Sequence, residues 1–379
     1  MPPNKHALLG PSGAHRWLVC TPSAKREEGL PDTAGAAAEE GTLAHAIVET
    51  KLDRVIAGEP RGTATQEQQK SKYYTHAMET HTDFYCDFVE ELYNSMLRKC
   101  PDALLESESK VEFTDWVPDG HGTTDTVIIA DDELVVIDFK YGKNVLVEAE
   151  NNPQLRLYAL GAYKAYCDLY DIRHVHTYIV QPRVEGVSSE DLTIEALLDW
   201  ADNYVKPRAE MAAAGLGEAV PGEHQCRFCK AQAICKEFGV QQLELLRYRL
   251  RDPGLLTPED VADVMRYADH LVTWVNNVKK YALGAAMDGE RFPGLKLVAG
   301  RATRRITDEA KAAELLEGKY GKAIYELKGL GALEDVVGKN ELAETLGDLL
   351  AKPDGKPTLV SIKDKRPELV RDLGELFKD

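Results

Sequence analysis

The stretch GTTDTVIIADDELVVIDFKYG, residues 122–142, decides the fold. Two runs rich in Val, Ile and Leu flank the acidic pair Asp131-Asp132, and β-branched runs of this length around a short polar turn predict an antiparallel hairpin. A two-residue turn at 131–132 pairs residues whose numbers sum to 263, which sets Asp125 opposite Asp138. Opposed residues share a face of the sheet, as do residues two apart on one strand, so Lys140 joins the two aspartates. Carboxylates facing each other on an apolar sheet repel unless a cation compensates them. Oxygen donors suit Mg²⁺ or Mn²⁺, which polarise a phosphodiester oxygen. A lysine beside such a cation orients water or stabilises charge developing on the phosphate. The alternative is an ordinary hairpin with solvated acids at its strand ends.

Outward from the hairpin, residues 41–56 (GTLAHAIVETKLDRVI) have helical spacing and stop before Gly58 and Pro60. One long helix is expected from near Gln66 to Lys99, and a strand within residues 103–116. Asn152 and Pro153 read as the cap and first turn of a helix through QLRLYALGAYKAY, because proline's missing N–H costs nothing there. A further strand, HVHTYIVQP, completes an α/β core. Gln154 and Tyr158 stand four apart on one helical face, where they can position DNA or the attacking water. His45 lies on the first helix with Glu49 one turn on. Thr257 and Pro258 open another long helix. A boundary is expected near residue 245, dividing a core domain, 1–245, from a C-terminal α+β accessory domain, 246–379, of short strands and helices.

A chain of 379 residues, 44% of them hydrophobic, buries a sizeable core. Its stretches fall short of the roughly 20 apolar residues that cross a bilayer, so a cytoplasmic protein without a membrane partner is expected. The net charge of −17 argues against a uniformly basic nucleic-acid binder. Residues 241–379, however, hold 23 basic and 24 acidic side chains, so the excess acid lies almost wholly in the preceding part, with 23 and 39. Basic clusters at Lys296, Arg301, Arg304 and Arg305, and at Lys363, Lys365 and Arg366, are candidate phosphate contacts. Solvated surface charge is the plainer reading of each.

Seven cysteines in a reducing compartment point to metal ligands where they cluster. CRFCKAQAIC supplies Cys226, Cys229 and Cys235 within ten residues. A fourth ligand must come from elsewhere, and thiolate sets favour zinc or an iron–sulfur cluster. Cys86, Cys100 and Cys167 read as free thiols in helical surroundings.

Four phrases, GTLAH (41–45), GTTD (122–125), DFK (138–140) and QLRLY (154–158), resemble in order the motifs of RecB-type nucleases of the PD-(D/E)XK superfamily. The resemblance implies a restriction-endonuclease-like core, a central mixed sheet flanked by helices. It implies that His45, Asp125, Asp138 and the Phe139 backbone carbonyl bind Mg²⁺ or Mn²⁺. Lys140 would be the catalytic lysine, with Gln154 and Tyr158 from the last motif. Asp138 stands where many members carry Glu. The stretch SGAHRWLVCTPSA (12–24) resembles the opening of iron–sulfur nucleases of the AddB type and of CRISPR-adaptation nucleases. That implies a [4Fe–4S] cluster on Cys20, Cys226, Cys229 and Cys235, with zinc as the alternative; Thr21 departs from the proline that usually follows the cysteine directly.

Nearly the whole chain resembles a phage and prophage family of RecB-like proteins, which implies the cytoplasm of a bacterial host. The expected function is a metal-dependent DNA exonuclease in phage recombination or replication, acting on single strands or duplex ends. A phage single-stranded-DNA-binding or annealing protein is the implied partner, and the C-terminal domain would serve DNA binding or homo-oligomerisation. The rivals are a noncatalytic DNA-binding or recombination scaffold with a structural metal cluster, and a CRISPR-adaptation-type nuclease.

Overall fold

The computed structural model of the chain describes residues 7–31, 36–143, 145–184, 186–249, 257–298, 311, 316–317 and 328–350. Five strands form one sheet in the order β1 (Leu104–Glu112), β2 (His121–Ala130), β3 (Glu133–Phe139), β4 (His174–Gln181) and β5 (Gly186–Thr193). The β3–β4 pair is parallel and the others antiparallel. A parallel pair needs a crossover. The Pro153–Tyr166 helix supplies it, its first turn fixed by the Asn152 side chain, which accepts the N–H groups of Gln154 and Leu155 at 3.0 and 3.4 Å.

The β2–β3 register runs from Ala130↔Glu133 to Thr126↔Ile137, the pairing that a two-residue turn at Asp131-Asp132 dictates. Asp131 takes the left-handed conformation, φ 54°, that such a turn requires. The ladder then stops one pair short of the expected Asp125↔Asp138. Beyond it the Lys140 N–H bonds to the Val180 carbonyl at 2.9 Å, so the end of β3 continues along β4 instead.

Alternation along the strands divides the core into two layers. Val127, Ile129, Leu134, Val136, Val175 and Ile179 pack with the Pro153–Tyr166 helix and with Val205, Ala209 and Ala212. Ile128, Val135, Ile137, Phe139 and Val180 pack on the other side with the helices Ala36–Ile56 and His76–Lys99. Both faces of the sheet are therefore covered, and an acid buried on either needs a specific partner.

One expected helix is corrected, and one strand went unread. The single helix from Gln66 to Lys99 is instead two, Gln66–Gln69 and His76–Lys99. The first is opened by a Thr65/Gln68 capping box. Ser71 separates them, its hydroxyl taking the Tyr73 N–H at 3.3 Å and its carbonyl the Tyr74 N–H at 3.1 Å, a local competitor of the helix. Strand β5, GVSSEDLT, has no apolar run to announce it, because it pairs only with β4 at the sheet edge and exposes alternate residues.

The chain divides into one compact unit of Met1–Glu244 with Trp274–Lys296, and a second of Leu245–Thr273 with Leu297–Asp379. The described residues of 246–379 form the helices Pro258–Met287, Leu330–Val337 and Lys339–Leu346, and among them there is no strand where an α+β arrangement was expected. Among the described residues no helix is long and apolar enough to cross a membrane.

Candidate functional site

Alternation puts Asp138 on the face of β3 that meets the Pro153–Tyr166 helix, and there it is 3% exposed. Lys140, two residues on, points the same way, with Nζ 2.8 Å from Asp138 Oδ2. Lys140 also donates to Gln154 Oε1 at 3.2 Å, and Gln154 donates to the Tyr158 hydroxyl at 3.2 Å. The i,i+4 pair on the helix thus extends the strand pair into one polar row, Asp138–Lys140–Gln154–Tyr158. Burial pushes the Asp138 carboxyl up, with Asp125 adding to the rise against Lys140. Burial works against charge on Lys140, but Asp138 and Asp125 outweigh it and hold the ammonium protonated. Burial raises the Tyr158 phenol as well, keeping it a donor.

Asp125 bridges to the other layer. Its Oδ2 accepts the Phe139 N–H at 2.7 Å, replacing the ladder pair with Asp138, and its Oδ1 lies 3.0 Å from His45 Nδ1. The His45 ring stands edge-on to Phe139 at 5.2 Å. Burial disfavours the imidazolium of His45, yet Asp125 and Asp138 together raise it above the ordinary histidine value. His45, Asp125, Asp138, Lys140, Gln154 and Tyr158 are therefore brought to one end of β2 and β3.

Glu108 also reaches this end, and sequence reasoning missed it. Its carboxylate and the ligand atoms of His45 and Asp125 lie within 4.8 Å of one another, the one such His/Cys/Asp/Glu group among the described residues; Asp138 stays with Lys140. Glu108 is also a non-glycine residue at φ 48°, a conformation costing about 1–3 kcal/mol where the surroundings hold it. Burial, then Asp125 and Glu49, push its carboxyl up to about 7. The signal was the alternation LLESESK, but relating Glu108 to Asp125 needs the β1–β2 register. The loop between those strands is too long to fix one by turn geometry. Glu49 enters only through this charge repulsion.

The four nominated cysteines meet at a second place. Cys20, Cys226, Cys229 and Cys235 line one cavity together with Arg16 and Arg26. No three of their sulfurs lie within 4.8 Å of one another. The Gly222 N–H points at Cys226 Sγ at 3.4 Å, and Arg26 Nη1 lies 3.5 Å from Cys235 Sγ while pairing with Glu237 at 2.8 Å. Burial pushes the Cys229 thiol up to about 12 and raises Cys226 as well. Cys86, Cys100 and Cys167 are free thiols outside this cavity.

A family described as "Protein of unknown function (DUF2800)" matches residues 6–367. The chain belongs to the DUF2800 family. Among solved structures, this DUF2800 chain is similar to one titled "Crystal structure of SSO0001", at 10% identity over 58% of this chain and 94% of that one, with a TM-score of 0.26. A likeness that low carries no argument about fold or function. Of the basic residues nominated for DNA in this DUF2800 member, Lys296 is exposed. Arg301, Arg304, Arg305, Lys363, Lys365 and Arg366 lie outside the described residues.

Proposed function

We propose that this chain is a divalent-cation-dependent deoxyribonuclease of the PD-(D/E)XK type that hydrolyses phosphodiester bonds at DNA ends. The observation that carries the proposal is the pair of buried Asp138 with part-exposed Lys140, extended through Gln154 to Tyr158 and set beside the Asp125–His45 contact. The donor set suits a hard cation: carboxylates with one imidazole, and more acid than neighbouring base. His45, Asp125, Asp138 and the Phe139 carbonyl would hold Mg²⁺ or Mn²⁺, which polarises a phosphodiester oxygen and makes water more acidic. Lys140 brings a fixed positive charge to where negative charge develops on the phosphate. Gln154 holds that ammonium in place, and Tyr158 orients Gln154. A noncatalytic DNA scaffold gains nothing from buried carboxylates that repel phosphates.

We further propose that the cysteine cavity holds a [4Fe–4S] cluster that ties residues 16–26 to residues 226–237. The resemblance of residues 12–24 to the opening of iron–sulfur nucleases favours the cluster, with zinc as the alternative.

The nuclease reading is tested with end-labelled linear DNA, single- and double-stranded, and a covalently closed circle, in Mg²⁺ or Mn²⁺ and with chelator. Nucleotides should be released from linear DNA in the presence of cation alone. An intact linear substrate under every condition overturns the reading. The cluster is tested separately by anaerobic purification: Cys229→Ala should lose the visible absorbance and bound iron and unfold at lower temperature. Full iron content in that variant refutes the assignment.

A further inference from the structure

We infer that Glu108 is a further protein ligand of the cation, grouped with His45 and Asp125, an inference that rests on the cation-dependent reading above. Strand β1 is regular on either side of it, with Ser107↔Thr126 and Ser109↔Thr124 in register, while Glu108 and Asp125 do not pair. The ladder is interrupted at the one position where both strands carry an acid. There the backbone turns to φ 48°, a region that costs a β-strand residue other than glycine. Its carboxylate is thereby brought to the group in which imidazole nitrogen and two carboxylate oxygens lie within 4.8 Å of one another.

A carboxylate kept in such a place for structure would be met by a base or an N–H. Among the described residues the Glu108 side chain meets no hydrogen-bond or ion-pair partner, and Asp125 and Glu49 lead the charges that raise its carboxyl, with His45 opposing them. Ligand atoms about 2.1–2.2 Å from one ion stand roughly 3–4.4 Å apart, so the three donors need close only slightly to share one. A nitrogen donor with two carboxylates suits Mn²⁺ better than Mg²⁺. The same three groups without a cation form a repulsive cluster, which predicts opposite effects on stability with and without it.

The test is Mn²⁺ titration of the full chain by electron paramagnetic resonance, with thermal unfolding in chelator and in Mn²⁺. The proteins are wild type, Glu108→Gln, Glu108→Asn and Asp125→Asn. Asparagine is neutral and tolerates positive φ, so it keeps the test decisive if glutamine disturbs the strand. Both Glu108 variants should bind Mn²⁺ at least about tenfold more weakly. They should also melt higher than wild type in chelator and gain less from Mn²⁺. Unchanged Mn²⁺ affinity in both, with Asp125→Asn weakened, overturns the role of Glu108 and leaves the nuclease reading standing. A wild-type chain that binds no Mn²⁺ overturns both.

Discussion

Lys140→Met is expected to slow DNA cleavage by about 10²–10⁴-fold with the fold retained. The methionine keeps the stem that packs between β3 and the Pro153–Tyr166 helix and removes only the charge. That charge is the one ammonium in the polar row, 2.8 Å from Asp138 and 3.2 Å from Gln154. Loss of it leaves Asp138 buried beside Asp125, and burial already pushes the Asp138 carboxyl up, so the variant answers by taking up a proton there. The rate should therefore fall further below neutral pH than in wild type, because the protonated acid is a poorer cation ligand. Lys140→Arg restores charge but not geometry: a planar fork cannot reproduce a point contact with both Asp138 and Gln154. Single-turnover cleavage by circular-dichroism-matched proteins decides the matter, and wild-type rates in Lys140→Met would remove this lysine from the chemistry.

Glu79→Gln should destabilise the first unit by about 3–5 kcal/mol, toward the lower end because Asp83 remains as a partner. Lys51 is fully buried on the Ala36–Ile56 helix, with Nζ 2.7 Å from Glu79 Oε2, 2.8 Å from Asp83 Oδ1 and 2.9 Å from the Thr82 hydroxyl on the His76–Lys99 helix. Glu79 also accepts the Ala64 N–H at 3.0 Å and the Tyr74 hydroxyl at 2.8 Å. Burial raises the Glu79 carboxyl, but Lys51, the Ala64 N–H and the Tyr74 hydroxyl together hold it below its ordinary 4.5. A carboxyl depressed in the folded state stabilises the fold above the unfolded value, and that contribution is lost as pH falls through the folded one. The difference between wild type and Glu79→Gln in urea unfolding should thus be full at pH 7 and shrink below about pH 4.5. His45 sits six residues before Lys51 on the same helix. Loosening this lock therefore displaces His45 from Asp125, and cation affinity should fall along with stability.

Much of this arrangement is legible in the sequence. The hairpin register follows from two acids at a turn, the crossover helix from Asn152-Pro153, and the Lys140–Gln154–Tyr158 row from periods of two and 3.6. These are local rules, satisfied within a few residues. The relation of Asp125 to Asp138 was legible only as nearness. The ladder pair gives way to a carboxylate–amide contact because β3 turns to follow β4, which depends on a strand 36 positions further along the chain. Glu108 was illegible for the same reason, since its role depends on β1–β2 register across a loop without a tight turn. The edge strand β5 was hidden by its polar composition. The cysteine cavity was half legible: the spacing of Cys226, Cys229 and Cys235 marks them as a set, whereas Cys20 was brought in by resemblance, and the cavity places it with them.

The junction around that cavity also sets a timetable for biosynthesis. Arg16 reaches the Phe228 carbonyl, Thr21 the Leu216 carbonyl and Glu27 the Lys230 amide, while Arg208 holds the Leu18 carbonyl. Trp17 and Leu18 share their apolar layer with Val205, Ala209 and Ala212. Residues 16–27 thus wait for partners translated some 190–210 residues later, roughly 10–40 seconds at about 5–20 residues per second. In that interval Trp17 lacks its apolar partners, and a nascent chain halted before residue 205 should remain sensitive to protease around residues 16–27.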